Sequence, residues 1–148
     1  MKYFSIKELC KSDTADAHKI DNSPTEEDKA RLVELIENLL DPLREDWGSP
    51  IRVTSGYRSK NLNRVIKNSS PTSAHCLGYA ADLQPCNGKM NEFKLFVRKW
   101  LANKAFDQYI DEYSDKKEWV HLGYKNSSGK QRHQYLQYKN NKFTTIKP

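Results

Sequence analysis

The sequence predicts an α+β fold: one domain in which a small central antiparallel sheet is flanked by helices. Two amphipathic stretches at helical spacing, around residues 24–47 and 90–104, precede three short aromatic runs with strand-like character after residue 105. At 148 residues and 17.3 kDa the chain can bury one hydrophobic core but not two. The single domain is therefore placed over 1–148, with its core at about 3–138 and a polar C-terminal tail, NNKFTTIKP, expected to fray.

The first long helix is expected to open with Ser23 as N-cap, Pro24 at its first position and Glu26 three residues after the cap. Leu32, Val33, Ile36, Leu39, Leu40, Leu43 and Trp47 then form one apolar stripe, with Pro42 as a bend or late break. Gly48, Ser49 and Pro50 end the helix, and IRVTS (51–55) alternates like a short β-branched strand. Gly56 marks a turn, Ser59 can cap a short helix carrying Leu62, Val65 and Ile66, and the loop NSSPTS follows. AADLQP (80–85) reads as a strand, and MNEFKLFVRKWLANK (90–104) as a helix built on Phe93, Phe96, Val97, Trp100 and Leu101. FDQYIDEY, EWVHLGY and HQYLQYK are further strands, the last two joined by KNSSGKQR, which has the Ser and Gly of a hairpin loop.

Composition narrows the functional classes. A formal charge of +6 and a pI near 9.2 favour anionic partners such as nucleic acid, wall polymers or a phospholipid surface. The lysines are scattered, without the block or helical stripe of a nucleic-acid footprint, so no dedicated nucleic-acid binding is expected. No apolar run approaches the roughly 20 residues that span a bilayer, which excludes membrane insertion by a helix. The start, MKYFSIKELCKSD, has no continuous apolar stretch and no small-residue cleavage site; no signal peptide is expected, and synthesis ends in the cytoplasm. Cys10, Cys76 and Cys86 are odd in number and lack CxxC spacing, which argues against a disulfide framework or a cysteine zinc knuckle and for packed free thiols.

The four histidines are at 18, 75, 121 and 133. Strand alternation in EWVHLGY puts Trp119, His121 and Gly123 on one face and Val120, Leu122 and Tyr124 on the other. His121 alone carries little information. Together with His75 and Asp82, seven residues apart in an otherwise weakly polar stretch, it completes a set of two imidazoles and a carboxylate. Three such ligands leave a fourth zinc position open, the pattern of catalytic rather than structural zinc. His18 and His133 have no partner at ligand spacing and are read as bystanders.

Ser73-Ala74-His75-Cys76-Leu77-Gly78-Tyr79-Ala80-Ala81-Asp82 fits SxHxxGxAxD, and Glu118-Trp119-Val120-His121 fits ExxH. With SGYRS (55–59), Asn63 and FDQYI, these segments resemble the LAS-type zinc peptidases, the D-Ala-D-Ala carboxypeptidases, D-Ala-D-Ala dipeptidases and L-Ala-D-Glu endopeptidases that cut peptidoglycan peptides, and in particular their phage and prophage branch. The resemblance runs from about residue 3 to about 125 and implies the hedgehog and D-Ala-D-Ala peptidase type of α+β fold. It implies Zn²⁺ held by His75, Asp82 and His121, a substrate or oxyanion contact for Arg58, and a peptidoglycan peptide as substrate for a monomeric enzyme. Cell-wall lysis, after holin-type release or from within a virion, is the role it suggests. Zinc supplies a Lewis acid and brings the pKa of bound water towards about 7, and the arginine fork suits a carboxylate or a developing oxyanion. Ser73 either hydrogen-bonds substrate or caps its loop.

A further carboxylate must move the water proton to the leaving amine. Glu118 has the ExxH spacing but reaches the His121 face only if the chain turns between them; Lys116 and Lys117 suggest a loop there. Glu118 is the leading candidate, Glu112 in the FDQYIDE run the second, and Asp115 or another acid the third. The resemblance also leaves room for a non-catalytic zinc-containing module of the same fold that binds cell wall or a partner protein, as the hedgehog signalling domain does with a related site.

Overall fold

In the computed structural model, which describes residues 1–66 and 69–148, helices lie mostly before the sheet in the chain and supply most of its core. Two short N-terminal helices, α1 (Ile6–Cys10) and α2 (Asp13–Ala17), are each capped by a serine hydroxyl, Ser5 and Ser12, accepting from the backbone three residues on. The long helical segment starts two residues later than the sequence suggests. Thr25, not Ser23, caps α3 (Glu26–Leu35), because Asp28 can answer it: Thr25 Oγ1 accepts from the Asp28 amide while the Asp28 carboxylate accepts from the Thr25 amide. Glu26 occupies the first helical position and has no such partner geometry.

The chain then passes through a π-helical turn, Ile36–Leu40, into α4 (Asp41–Trp47). Pro42 lacks an amide proton and its ring crowds the preceding turn, and the wide turn absorbs both effects without breaking the helix. Gly48, at φ 78°, ends α4 in the left-handed conformation. The stripe anticipated from the sequence is buried without residual exposure at Leu32, Ile36, Leu39, Leu40 and Leu43.

Six strands form one sheet: β1 (Ile51–Ser55), β2 (Ala80–Pro85), β3 (Gln108–Ser114), β4 (Lys117–Gly123), β5 (Gln134–Lys139) and β6 (Lys142–Thr145), in the order β1-β2-β4-β3-β5-β6. All neighbours are antiparallel except β3 and β5, which are parallel. KNSSGKQR is therefore not a hairpin loop. Both edges of β4 are already taken by β2 and β3, so the chain crosses to the free edge of β3 and runs alongside it. The tail expected to fray is instead paired: Lys142–Thr145 returns along β5 through a two-residue turn at Asn140 and Asn141, both at positive φ as a type I′ turn requires.

Between β1 and β2 lie α5 (Lys60–Val65), capped by Ser59, and a 3-10 turn, Ala74–Leu77. Leu62 is buried but Val65 is exposed, so the short helix holds on by less apolar surface than its sequence suggests. Lys67 and Asn68, the last of which begins the expected NSSPTS loop, lie outside the described residues. The amphipathic helix α6 (Met90–Trp100) packs Phe93 and Val97 with α3 and α4 against one face of the sheet, meeting Leu83, Tyr109, Val120 and Leu122 in a single core. Alternation sends the intervening residues, Asp82, Ile110, Glu112 and His121, to the opposite face, where the site forms. None of the described helices is long and apolar enough to cross a membrane.

Gly78 joins the core to that face. It ends the 3-10 turn at φ 85°, and a Cβ there would stand 2.9 Å from the Asp28 carbonyl oxygen and 3.0 Å from Leu32 Cγ of α3. Gly78→Ala adds a left-handed backbone penalty to overpacking against a helix, and is expected to lower unfolding free energy by about 2–4 kcal/mol. Urea unfolding tests this; a midpoint unchanged from wild type contradicts it.

Candidate metal centre and active-site cleft

The β2–β4 register sets Asp82 directly opposite His121, and the 3-10 turn before β2 brings His75 over the same point. His75 Nε2 is 3.3 Å and His121 Nδ1 is 3.1 Å from the same oxygen of Asp82, and one ligand atom from each residue lies within 4.8 Å of the others. All three side chains are buried. Metal–ligand bonds of about 2.0–2.2 Å in a tetrahedron place ligand atoms about 3.3–3.6 Å apart, so these spacings fit a zinc shell with little adjustment. The donor set, two imidazole nitrogens and a carboxylate oxygen, is zinc chemistry as well.

Each of these candidate ligands is held by its surroundings. The Gly56 carbonyl oxygen is 2.7 Å from His75 Nδ1 and accepts its proton, which leaves Nε2 with its lone pair towards Asp82. The Arg58 amide donates to the His75 carbonyl at 3.0 Å, and the Tyr57 amide to Leu9 O at 2.7 Å, so the turn after β1 is tied both to the ligand and to α1. Asn22 braces the same turn: its amide nitrogen donates to Cys10 O and Tyr57 O, and its oxygen accepts from the Ser59 amide at 2.7 Å. No motif in the sequence points to Asn22. Its role depends on a contact 37 residues away in the chain.

The electrostatics follow from burial and from these neighbours. Burial alone would raise the Asp82 carboxyl, but the flanking His75 and His121 hold it well below the usual carboxylate range. Burial pushes His75 down; His121 is also opposed by burial, yet its hydrogen bond to Asp82 and the charges of Asp82 and Glu112 raise it. A metal-free site thus stores one carboxylate charge between two imidazoles.

Arg58 lies beside this centre with its side chain 11% exposed. Its Nε donates to Ser55 Oγ at 3.1 Å, while its two terminal nitrogens make longer contacts, 3.4 Å to Asn63 Oδ1 and 3.5 Å to Asp82 Oδ2. Those long contacts leave guanidinium donors available to a ligand in the cleft. Asn63, 5% exposed, also holds the Ser70 carbonyl at 2.8 Å. Ser73 accepts from the His75 amide at 3.2 Å and caps the ligand-bearing turn, while lining the cleft.

The two candidate carboxylates are separated by the sheet. Glu112 on β3 pairs with Trp119, two positions from the Ile110–His121 pair and so on the same face, and its carboxylate is 3.8 Å from His121 Nδ1. Burial and the Asp82 charge push it up to about 7 in the metal-free protein, while His121 and Arg58 pull it back. The Trp119 indole N–H, buried without a hydrogen-bond partner of good geometry, faces Glu112 and favours its ionised form. Glu118 is on the helix side of β4 and forms a 2.7 Å ion pair with Lys94 of α6, which also donates to the Tyr113 hydroxyl. The expected turn between Glu118 and His121 is absent: Lys117–Gly123 is regular strand, and the hairpin turn lies earlier, at Asp115 and Lys116. Asp115 sits in that turn at φ 53° on the cleft rim. The register was accessible in principle, because a two-residue turn between Ser114 and Lys117 puts Glu112 and His121 on one face.

The remaining titratable groups fall outside this centre. His133 stacks on Phe106 at 4.3 Å, and His18 caps the end of α2 through its backbone amide. Cys10 and Cys76 are half-buried free thiols, with Cys10 pushed up to about 11 by burial; Cys86 is exposed, contrary to the expectation that all three pack. The His75, Asp82 and His121 cluster, which could hold a metal ion, lines an open cleft of about 1010 Å³.

A buried His-Asp-His cluster on the free face of a helix-backed sheet, with a carboxylate and an arginine at its edge, is the arrangement of a metallopeptidase. The family model for Peptidase M15 matches residues 2–123, and the chain belongs to this family of zinc peptidases. No curated protein matches it.

Replacing Gly56 tests how the ligands are held. A Cβ at this position would stand 2.2 Å from Leu9 O, so Gly56→Ala must move the carbonyl that orients His75. Zinc affinity is expected to fall about 10- to 100-fold while the fold persists. Competition with a chromogenic chelator measures it; wild-type affinity in the variant contradicts the brace.

Proposed function

We propose that this chain is a zinc-dependent peptidase that hydrolyses a peptide bond in peptidoglycan stem peptides, either as a D-Ala-D-Ala carboxypeptidase or as an L-Ala-D-Glu endopeptidase, in phage or prophage cell-wall lysis. The observation that carries the reading is the convergence of His75, Asp82 and His121 on one point at the floor of an open cleft, with Glu112 and Arg58 beside it.

Zinc held by these three residues would supply a Lewis acid for the scissile carbonyl and for the attacking water. Glu112, on the same sheet face, takes the proton of that water on its carboxylate and returns it to the leaving amine. Its partly buried position supports the role, since a carboxyl pushed towards neutrality by burial is both a competent base and, once protonated, a competent acid. Arg58 directs its free donors to a substrate carboxylate or to the oxyanion that develops at the carbonyl. The net charge of +6 favours approach to an anionic wall.

Glu118 is better explained as a structural ion pair with Lys94. The Lys94 ammonium is buried between α6 and the sheet, and the other carboxylate that acts on it, Asp111, already pairs with Arg98. Glu112→Gln is expected to lower kcat by about 10²- to 10⁴-fold with zinc content retained, whereas Glu118→Gln is expected to change stability more than kcat. The assay is release of soluble fragments from purified peptidoglycan, with and without chelator, identified by mass spectrometry. Full activity in Glu112→Gln removes Glu112 from the reaction, and turnover unaffected by chelator removes the zinc.

A further inference from the structure

The family match ends at Gly123, yet the cleft does not. Its outer wall is built by β5 and β6. The strand registers put one row of side chains across the sheet: Trp119 on β4 lies opposite Glu112 on β3, Glu112 opposite Tyr138 on β5, and Tyr138 opposite Phe143 on β6. All four line the cleft. The Tyr138 and Phe143 rings are 4.6 Å apart, and Phe143 is 58% exposed, the joint highest exposure among the large hydrophobic residues. Beside them the turn residues Asn140 and Asn141 present amides to the cleft, and the Tyr138 hydroxyl donates to Asn141 Oδ1 at 3.3 Å.

We propose that Tyr138 and Phe143 form a saccharide-stacking subsite, continuous with the metal centre, that seats a sugar ring of the substrate; this rests on the reading of the cleft as a peptidoglycan peptidase site. An exposed aromatic ledge edged by neutral amides matches a pyranose, which has an apolar C–H face and a rim of hydroxyl and acetamido groups. Within the row no charged side chain follows Glu112; the lysines that line the same cleft, Lys116, Lys117 and Lys139, lie outside that row. Its distance from the ligands also selects among bonds. Three strand steps separate His121 on β4 from Phe143 on β6, about 14 Å at about 4.8 Å per step. An extended peptide residue spans at most about 3.6 Å, and the stem peptide is attached to the glycan through its first residue. Covering about 14 Å takes about four extended residues, so a sugar on the ledge sets the metal centre towards the far end of the stem rather than at its first bond.

The test has two arms on the full chain. In the first, the N-acetylglucosamine trimer is titrated into zinc-loaded protein by calorimetry and by amide NMR. Binding is expected, with shifts at 138–145, and Phe143→Ala should weaken it about five- to tenfold without loss of fold, as the exposed ring carries little of the core. Absence of binding at millimolar trimer, or binding indifferent to Phe143→Ala, overturns the subsite. In the second, hydrolysis of a disaccharide-linked stem peptide is compared with that of the same peptide without sugar. Phe143→Ala should raise KM only for the sugar-bearing substrate; an equal effect on both, or none on either, overturns the proposal. Should wild type cut neither substrate, the peptidase reading fails, and the trimer titration still decides the subsite on its own.

Discussion

Asp82 is an ionised carboxylate sealed inside the sheet, and most of the molecule around it can be understood as what makes that tolerable. An isolated buried charge costs several kcal/mol. Here one oxygen faces two imidazole nitrogens at 3.1 and 3.3 Å and the other is 3.5 Å from Arg58. Without a cation at the shared point, compensation comes from the hydrogen bond with His121, whose pKa Asp82 raises, and from one long arginine contact. A divalent ion would satisfy all three side chains at once, which would link metal binding to local stability.

The geometry that brings these groups together is distributed over the chain. Strand register supplies Asp82 opposite His121, and Glu112 two residues along β3 from the partner of His121, on the same face. His75 comes from a turn rather than a strand, and it needs three supports: the Gly78 reversal over α3, the Gly56 carbonyl on its ring and the Arg58 amide on its backbone. Both glycines are places where a side chain would collide with backbone, which is why small residues occupy the two ends of this loop system. Helices on the other face provide the rigidity through Leu32, Phe93, Val97, Val120 and Leu122, so the polar face can be concave and open without loosening the sheet.

Much of this was legible in the sequence, and the reasons differ from residue to residue. His75 and Asp82 stand out because local spacing and a weakly polar context isolate them, and helix and strand locations follow from periodicity. Glu112 is harder to read, because choosing it over Glu118 requires the β3–β4 register, set by a short turn at Asp115 and Lys116 that a lysine-rich stretch obscures. The parallel pairing of β3 and β5 leaves no local signal at all. A ten-residue connection rich in Ser, Gly and Lys looks like a hairpin loop, and only the occupancy of both β4 edges forbids it. Asn22, which braces the turn before α5, is equally silent, since its partners are distant in the chain.

X-ray absorption at the zinc edge of the purified protein tests the metal centre most directly. One bound zinc is expected, with only nitrogen and oxygen neighbours at about 2.0–2.2 Å and imidazole scattering from two histidines. A sulfur neighbour at about 2.3 Å, which would bring in Cys76 beside His75, or a single imidazole in the shell, would contradict it.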